Sequence, residues 1–138
     1  MKTKIDRLAK EVLDASIKVH RQLGAGLLES AYQQCLIHEL KRRGLFVQKE
    51  VYCPIVFDDI TIDHGYRIDL LVEHILVIEL KAVDHLIDVH FAQVKTYLKL
   101  GEYPLGLLLN FNEVLLKNGM RRIINSDRSI TTKYGLVA

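Results

Sequence analysis

Two short apolar runs carry charges that a folded chain can accommodate in few ways. Arg67 to Val72 sets Asp69 among Ile68, Leu70, Leu71 and Val72. Val77 to Lys81 sets Glu79 and Lys81 among Val77, Ile78 and Leu80. Each run has the length and aliphatic content of a buried strand. Side chains alternate along a strand, so Glu79 and Lys81 share a face. A tight antiparallel hairpin turning at Glu73 and His74, in even register, would put Asp69 on that face too, beside or diagonal to Glu79. Burying three charges is costly unless they pair or bind an ion. Two carboxylates and a lysine on one patch are what metal-assisted phosphodiester hydrolysis needs.

The rest of the chain supplies a scaffold for that patch. At 138 residues, with 49% hydrophobic and 26% charged residues, it reads as one globular domain over 1–138. Ile5, Leu8, Ala9, Val12, Leu13, Ser16, Ile17 and His20 recur at helical spacing up to the break at Gly24 and Gly26. A second helix is expected from about Leu28 to Arg43, with Leu28, Ala31, Tyr32, Cys35, Leu36 and Leu40 inward. Residues 46–62 read as two strands joined at Asp58 and Asp59, followed by the two charged strands. A third helix spans roughly Asp88 to Leu100 and stops at Gly101. Leu105 to Asn110 reads as a buried strand, and Asn118 with Gly119 marks a hairpin between residues 114–117 and 120–124. The tail, 126–138, has no clear period and is expected to be loosely held. This order predicts an α/β chain, an α+β mixed sheet flanked by helices.

Charge and cysteine content exclude more than they indicate. A net charge of +2 permits a nucleic-acid partner without arguing for one. Cys35 and Cys53 have no zinc-ligand spacing, so they read as reduced thiols of a cytoplasmic protein. The N-terminus reads as neither signal peptide nor membrane anchor, and no apolar run is long enough to span a bilayer.

Four further residues could reach the acidic strands. Glu29 opens the second helix, where a carboxylate also suits the helix dipole. Gln93 and Tyr97 share a face of the third helix, and Tyr32 shares one with Glu29. Each has a plainer reading: a helix-end charge, a surface hydrogen-bonding pair, an Arg67–Asp69 surface ion pair. Of six histidines, His20 and His90 flank the helices that supply Glu29 and Gln93, yet no pair has metal-ligand spacing.

Asp69, Glu79 and Lys81 resemble the D-(X)n-(D/E)-X-K pattern of the PD-(D/E)XK nucleases. Gly26, Glu29 and Tyr32 spell GxxExxY, and the chain is similar to the GxxExxY family of that superfamily. The likeness continues through Gly65 to Leu70, Val77 to Ala82, Gln93 to Leu98 and Gly106 to Phe111, covering about residues 15–125. The proline that commonly precedes the first acid is Ile68 here.

The resemblance implies a restriction-endonuclease-like core and a metal-dependent nuclease acting on DNA before RNA, mainly through phosphate contacts. It implies Mg²⁺ or Mn²⁺ held by Asp69, Glu79 and the Leu80 carbonyl, with Glu29 in the shell or bound through water. Lys81 would then orient the attacking water, Gln93 would hydrogen-bond that water or a phosphate oxygen, and Tyr97 would support Gln93. Tyr32 is expected to pack. A chain this small covers few nucleotides, so a homodimer or another partner would extend its reach. Two other readings stand beside this one: a silent binding module on a nuclease fold, and a hydrolase using Asp69 and Glu79 as acid and base. The last sits poorly with a chain that has no Trp.

Overall fold

Thr3 starts the first helix by capping it. Its Oγ1 accepts the Asp6 N–H at 3.2 Å while the Asp6 carboxylate accepts the Thr3 N–H at 3.3 Å. In this computed structural model, which describes residues 3–136, α1 runs Lys4–Leu23 and buries Ile5, Ala9, Val12, Ala15 and Val19 along one stripe. Gly24, at φ 73°, ends it by returning its N–H to the His20 carbonyl.

The second helix, α2 (Glu29–Arg42), buries most of the face expected of it, with two exceptions. Leu28 lies outside it and is 76% exposed, and Cys35 is exposed as well. Tyr32, Leu36 and Leu40 form the buried stripe, with Glu39 beside them. Glu39 is only 5% exposed and ties the two helices together. It accepts from Lys18 of α1 at 3.0 Å and from Arg42 and Arg43 at 2.8 Å each. Hydrogen bonds from those three cations hold its carboxyl well below the usual carboxylate range.

Glu39→Gln should therefore cost about 1–2 kcal/mol at pH 7, a figure discounted for solvent around the cations. A depressed folded-state pKa contributes stability above the unfolded value, about 4.3, which is lost as pH falls. Thermal unfolding of both proteins at pH 7 and pH 3 should show the gap closing at the lower pH. A gap independent of pH would rule this account out.

Five strands follow in spatial order: β1 (Val47–Phe57), β2 (Ile60–Val72), β3 (Leu76–Lys81), β4 (Leu105–Asn110) and β5 (Met120–Ile124). Neighbours are antiparallel except β3 and β4, which are parallel and joined through α3 (Asp88–Gly101). The result is the mixed sheet with flanking helices that the element order predicts. β2 is one long strand where two were expected. Gly65 does not break it: a Cβ there would come within 2.3 Å of Ile55, so the glycine admits a close crossing where the β1–β2 register shifts.

The hairpin expected at Asn118 and Gly119 does not form. Leu116 to Gly119 is a 3₁₀ turn that buries Leu116 in the core, and β5 pairs with β4 instead. The tail is likewise packed. α4 (Arg128–Thr131) and a 3₁₀ turn follow β5, burying Ile130 and Leu136; residues 137 and 138 lie outside the described part. Among the described residues no helix is long and apolar enough to cross a membrane.

Both faces of the sheet are covered. α1 and α2 pack on Leu70, Val72, Leu76, Ile78 and Leu80, while α3 sets Val94 and Leu98 on Leu71, Val77 and Leu108. All six residues of β4 are buried, as a central strand between two helical layers requires. Gly106 allows α3 to approach: a Cβ there would sit 2.7 Å from Val94 Cγ1. Asn110, fully buried at the end of β4, holds the chain leaving β3 through two bonds with the Val83 backbone.

Candidate functional site

The β2–β3 ladder runs Val72–Leu76, Leu71–Val77, Leu70–Ile78 and then stops. Continued by one step it would set Asp69 opposite Glu79. Side chains take over there. The Asp69 N–H donates to Glu79 Oε1 at 3.2 Å, and the Leu80 N–H donates to Asp69 Oδ2 at 3.0 Å. Each carboxylate thus satisfies an amide on the opposite strand, as buried amides require. β1 is distorted at the same level, with Glu50 at φ 51° and missing from the ladder together with Asp69.

One carbonyl also faces the fork. Main-chain groups of successive strand residues point to alternate neighbours. The Lys81 carbonyl accepts the Phe111 N–H, so the Leu80 carbonyl points the other way, toward the fork. Asp69, Glu79 and that carbonyl supply only oxygen.

Burial dominates the electrostatics. Glu79 is 3% exposed and Asp69 8%. Desolvation first, and then the hydrogen bond and charge of Asp69, push the Glu79 carboxyl up to about 9. Burial thus favours the form of Glu79 that holds a proton. A bound divalent cation would displace it, and this donor set fits such an ion: hard oxygens, clustered negative charge and room for water. Among the described residues no three His, Cys, Asp or Glu side chains are already gathered as a cage. Asp69 and Glu79 are two, and Glu29 stands at the mouth of the cleft.

The two helical layers meet the fork from opposite faces. From α2 comes Glu29, exposed at the first helical position, its carboxyl raised by burial of its surroundings and by Asp69. From α3 comes Gln93, whose Oε1 accepts from Lys81 Nζ at 3.1 Å. Tyr97, one turn on, stacks on Tyr66 at 4.8 Å; burial, and then the Glu79 charge, raise its hydroxyl pKa. All six candidate side chains are thus brought to one end of β3. A cleft of about 240 Å³ opens there, lined by Glu29, Ser30, Gln33, Glu50, Arg67, Asp69 and Leu80. A larger cavity of about 370 Å³, between α1 and α2, has Glu39 as its single carboxylate and lies away from the fork.

Tyr32 packs. It stacks on Phe111 at 4.7 Å, donates to the Gly24 carbonyl at 2.5 Å and accepts the Leu27 N–H, fixing the loop that delivers Glu29. His20 bonds the Glu113 carbonyl, and His90 Nδ1 accepts the Ile87 N–H at the start of α3. Burial, and then the nearby Lys81 charge, lower the His90 pKa.

Gln33 and Glu50 escape the sequence reading, and Arg67 does more than the ion pair expected of it. Gln33 donates to the Asp69 carbonyl at 3.4 Å, and its spacing four after Glu29 was the available signal. Arg67 bridges Asp69 Oδ1 at 3.5 Å and Glu50 Oε1 at 3.2 Å, so it belongs to the cleft as well as to an ion pair. Glu50 gave no signal, because its place depends on a left-handed residue within a strand.

A family model described as the PD-(D/E)XK nuclease superfamily matches residues 6–123. No curated protein and no solved structure gives a significant match to the chain.

Proposed function

The chain belongs to the PD-(D/E)XK nuclease superfamily, and on that premise we propose that it is a Mg²⁺- or Mn²⁺-dependent nuclease, acting on DNA in preference to RNA. The observation that carries this reading is the fork, where two buried carboxylates meet beside a lysine held by a glutamine.

Asp69, Glu79 and the Leu80 carbonyl would hold the ion, with Glu29 reaching it through water. Such an ion polarises the scissile phosphate and lowers the pKa of a bound water. The chain's own residues do the positioning. Gln93 fixes Lys81 Nζ, so the ammonium meets the attacking water and the charge growing on the phosphate without reorganising. Gln93 lies beside the Tyr97 hydroxyl, and Tyr66 stacks on that ring from behind. Arg67, half exposed at the cleft, can exchange Glu50 for a phosphate oxygen as substrate enters. The sequence carries no helix-turn-helix, zinc-finger or RNP-like motif, so contacts would go chiefly to the backbone with low sequence selectivity. The two unpaired cysteines suit a reducing, cytoplasmic setting.

The test is cleavage of labelled single- and double-stranded DNA and RNA with Mg²⁺, Mn²⁺ or EDTA. Metal-dependent cutting that Asp69→Asn abolishes is the expected result, and the preferred substrate decides between DNA and RNA. No cutting of any substrate would overturn the proposal in favour of a silent binding module.

A further inference from the structure

Beyond Cys53 and Tyr66 the β1–β2 pair leaves the body of the protein, and every residue from 56 to 64 is exposed. Cross-strand partners share a face. The register sets Ile55 opposite Ile62 and Phe57 opposite Ile60, so these four form one apolar side of a two-stranded ribbon. Phe57 is 64% exposed, Ile60 52% and Ile62 47%. A ribbon with neither a third strand nor a helix over its apolar side is marginal in water. Its open apolar surface is on the order of 300 Å², comparable with the largest apolar patch of an ordinary monomer, which is often functional.

The arm's charge selects its occupant. Asp58, Asp59 and Asp63 lie on it, and no lysine or arginine occurs between Val51 and Tyr66. A phosphate backbone would repel it. The complementary surface is on the chain itself. A depression of about 300 Å³ is lined by Ile17, His20, Gly24, Val114, Leu115 and Leu116, with the exposed Arg21 and Lys117 at its rim. Val114, within it, is 85% exposed.

We propose that the β1–β2 hairpin is a dimerisation arm that seats in this depression on a second copy of the chain, the exchange being reciprocal. Two arms meeting only each other would bury too little for a stable interface. Two arms seated in two depressions bury more, covering both apolar sides and both depressions at once. Reciprocal exchange also closes as a twofold dimer, so no binding face is left over to build fibres.

Sedimentation velocity tests this without reference to cleavage, so its failure and that of the nuclease reading are separable. The wild type should be a dimer at tens of micromolar. Phe57→Asp with Ile60→Asp should make it monomeric with an unchanged circular dichroism spectrum, since both positions are exposed. Arg21→Glu with Lys117→Glu should weaken the dimer at least about tenfold, and adding Asp58→Lys with Asp59→Lys should restore it. A monomeric wild type, or a dimer indifferent to the arm substitutions, would overturn the proposal. So would a dimer that the arm substitutions dissociate and the rim reversals leave intact.

Discussion

Glu79→Gln is expected to abolish cleavage while raising the melting temperature of the metal-free protein near pH 8. The two effects share one cause. Buried beside Asp69, the Glu79 carboxyl is held up at about 9, against about 4.3 in an unfolded chain. A group raised in this way contributes its full stability below the unfolded pKa and loses it as pH climbs through the folded one. Between those values the folded state keeps a proton that the unfolded state releases, so the wild type weakens steadily with pH. Glutamine imitates the protonated acid: its oxygen can still accept the Asp69 N–H, and its amide can donate to the Asp69 carboxylate. The melting-temperature gap between variant and wild type should widen from pH 5 to pH 9. A constant gap would remove buried charge as the explanation. Added Mg²⁺ or Mn²⁺ should stabilise the wild type, by about 2.7 kcal/mol at a hundred times its dissociation constant. It should leave the variant unmoved, and cleavage by the variant should fall at least about 10³-fold.

Lys81→Ala should separate chemistry from metal binding. It removes a preorganised cation without touching the carboxylates, so kcat should drop by about 10²–10³ with little change in KM. The wild type's stabilisation by metal should persist. Gln93→Ala acts only through the lysine it holds at 3.1 Å, so its loss should be smaller. Combined with Lys81→Ala it should add almost nothing, since the two act as one unit. A fully additive double variant would show that Gln93 works on its own. An unchanged rate in Lys81→Ala would remove the lysine from the reaction.

The core of this site is legible from local periodicity. A tight turn at Glu73 and His74, both at positive φ, and strict alternation suffice to bring Asp69 level with Glu79. Helical spacing likewise puts Gln93 and Tyr97 on one face. What escapes the sequence depends on partners distant in the chain. Cys35 looks more apolar than Glu39, yet Glu39 is the buried one because Lys18, Arg42 and Arg43 satisfy it. Asn118 and Gly119 suggest a hairpin, but burial of Leu116 outweighs the turn preference. That residues 60–72 form one strand depends on β1, where Ile55 lies against Gly65. The tail has no period of its own and is ordered by the core that receives Ile130 and Leu136.

Gly106 gives the site a tolerance unrelated to its chemistry. The clearance between α3 and the sheet is one absent methyl group, and the helix that rests there carries Gln93 next to Val94. A side chain at 106 would lift α3, widen the gap that Gln93 spans to Lys81, and leave every acid in place. Loss of activity in this protein can thus arise as a fault of assembly as well as a loss of a reacting group. A screen for inactive variants should recover both kinds, and metal-induced stabilisation would set the carboxylate losses apart, since it vanishes only where those side chains themselves are changed.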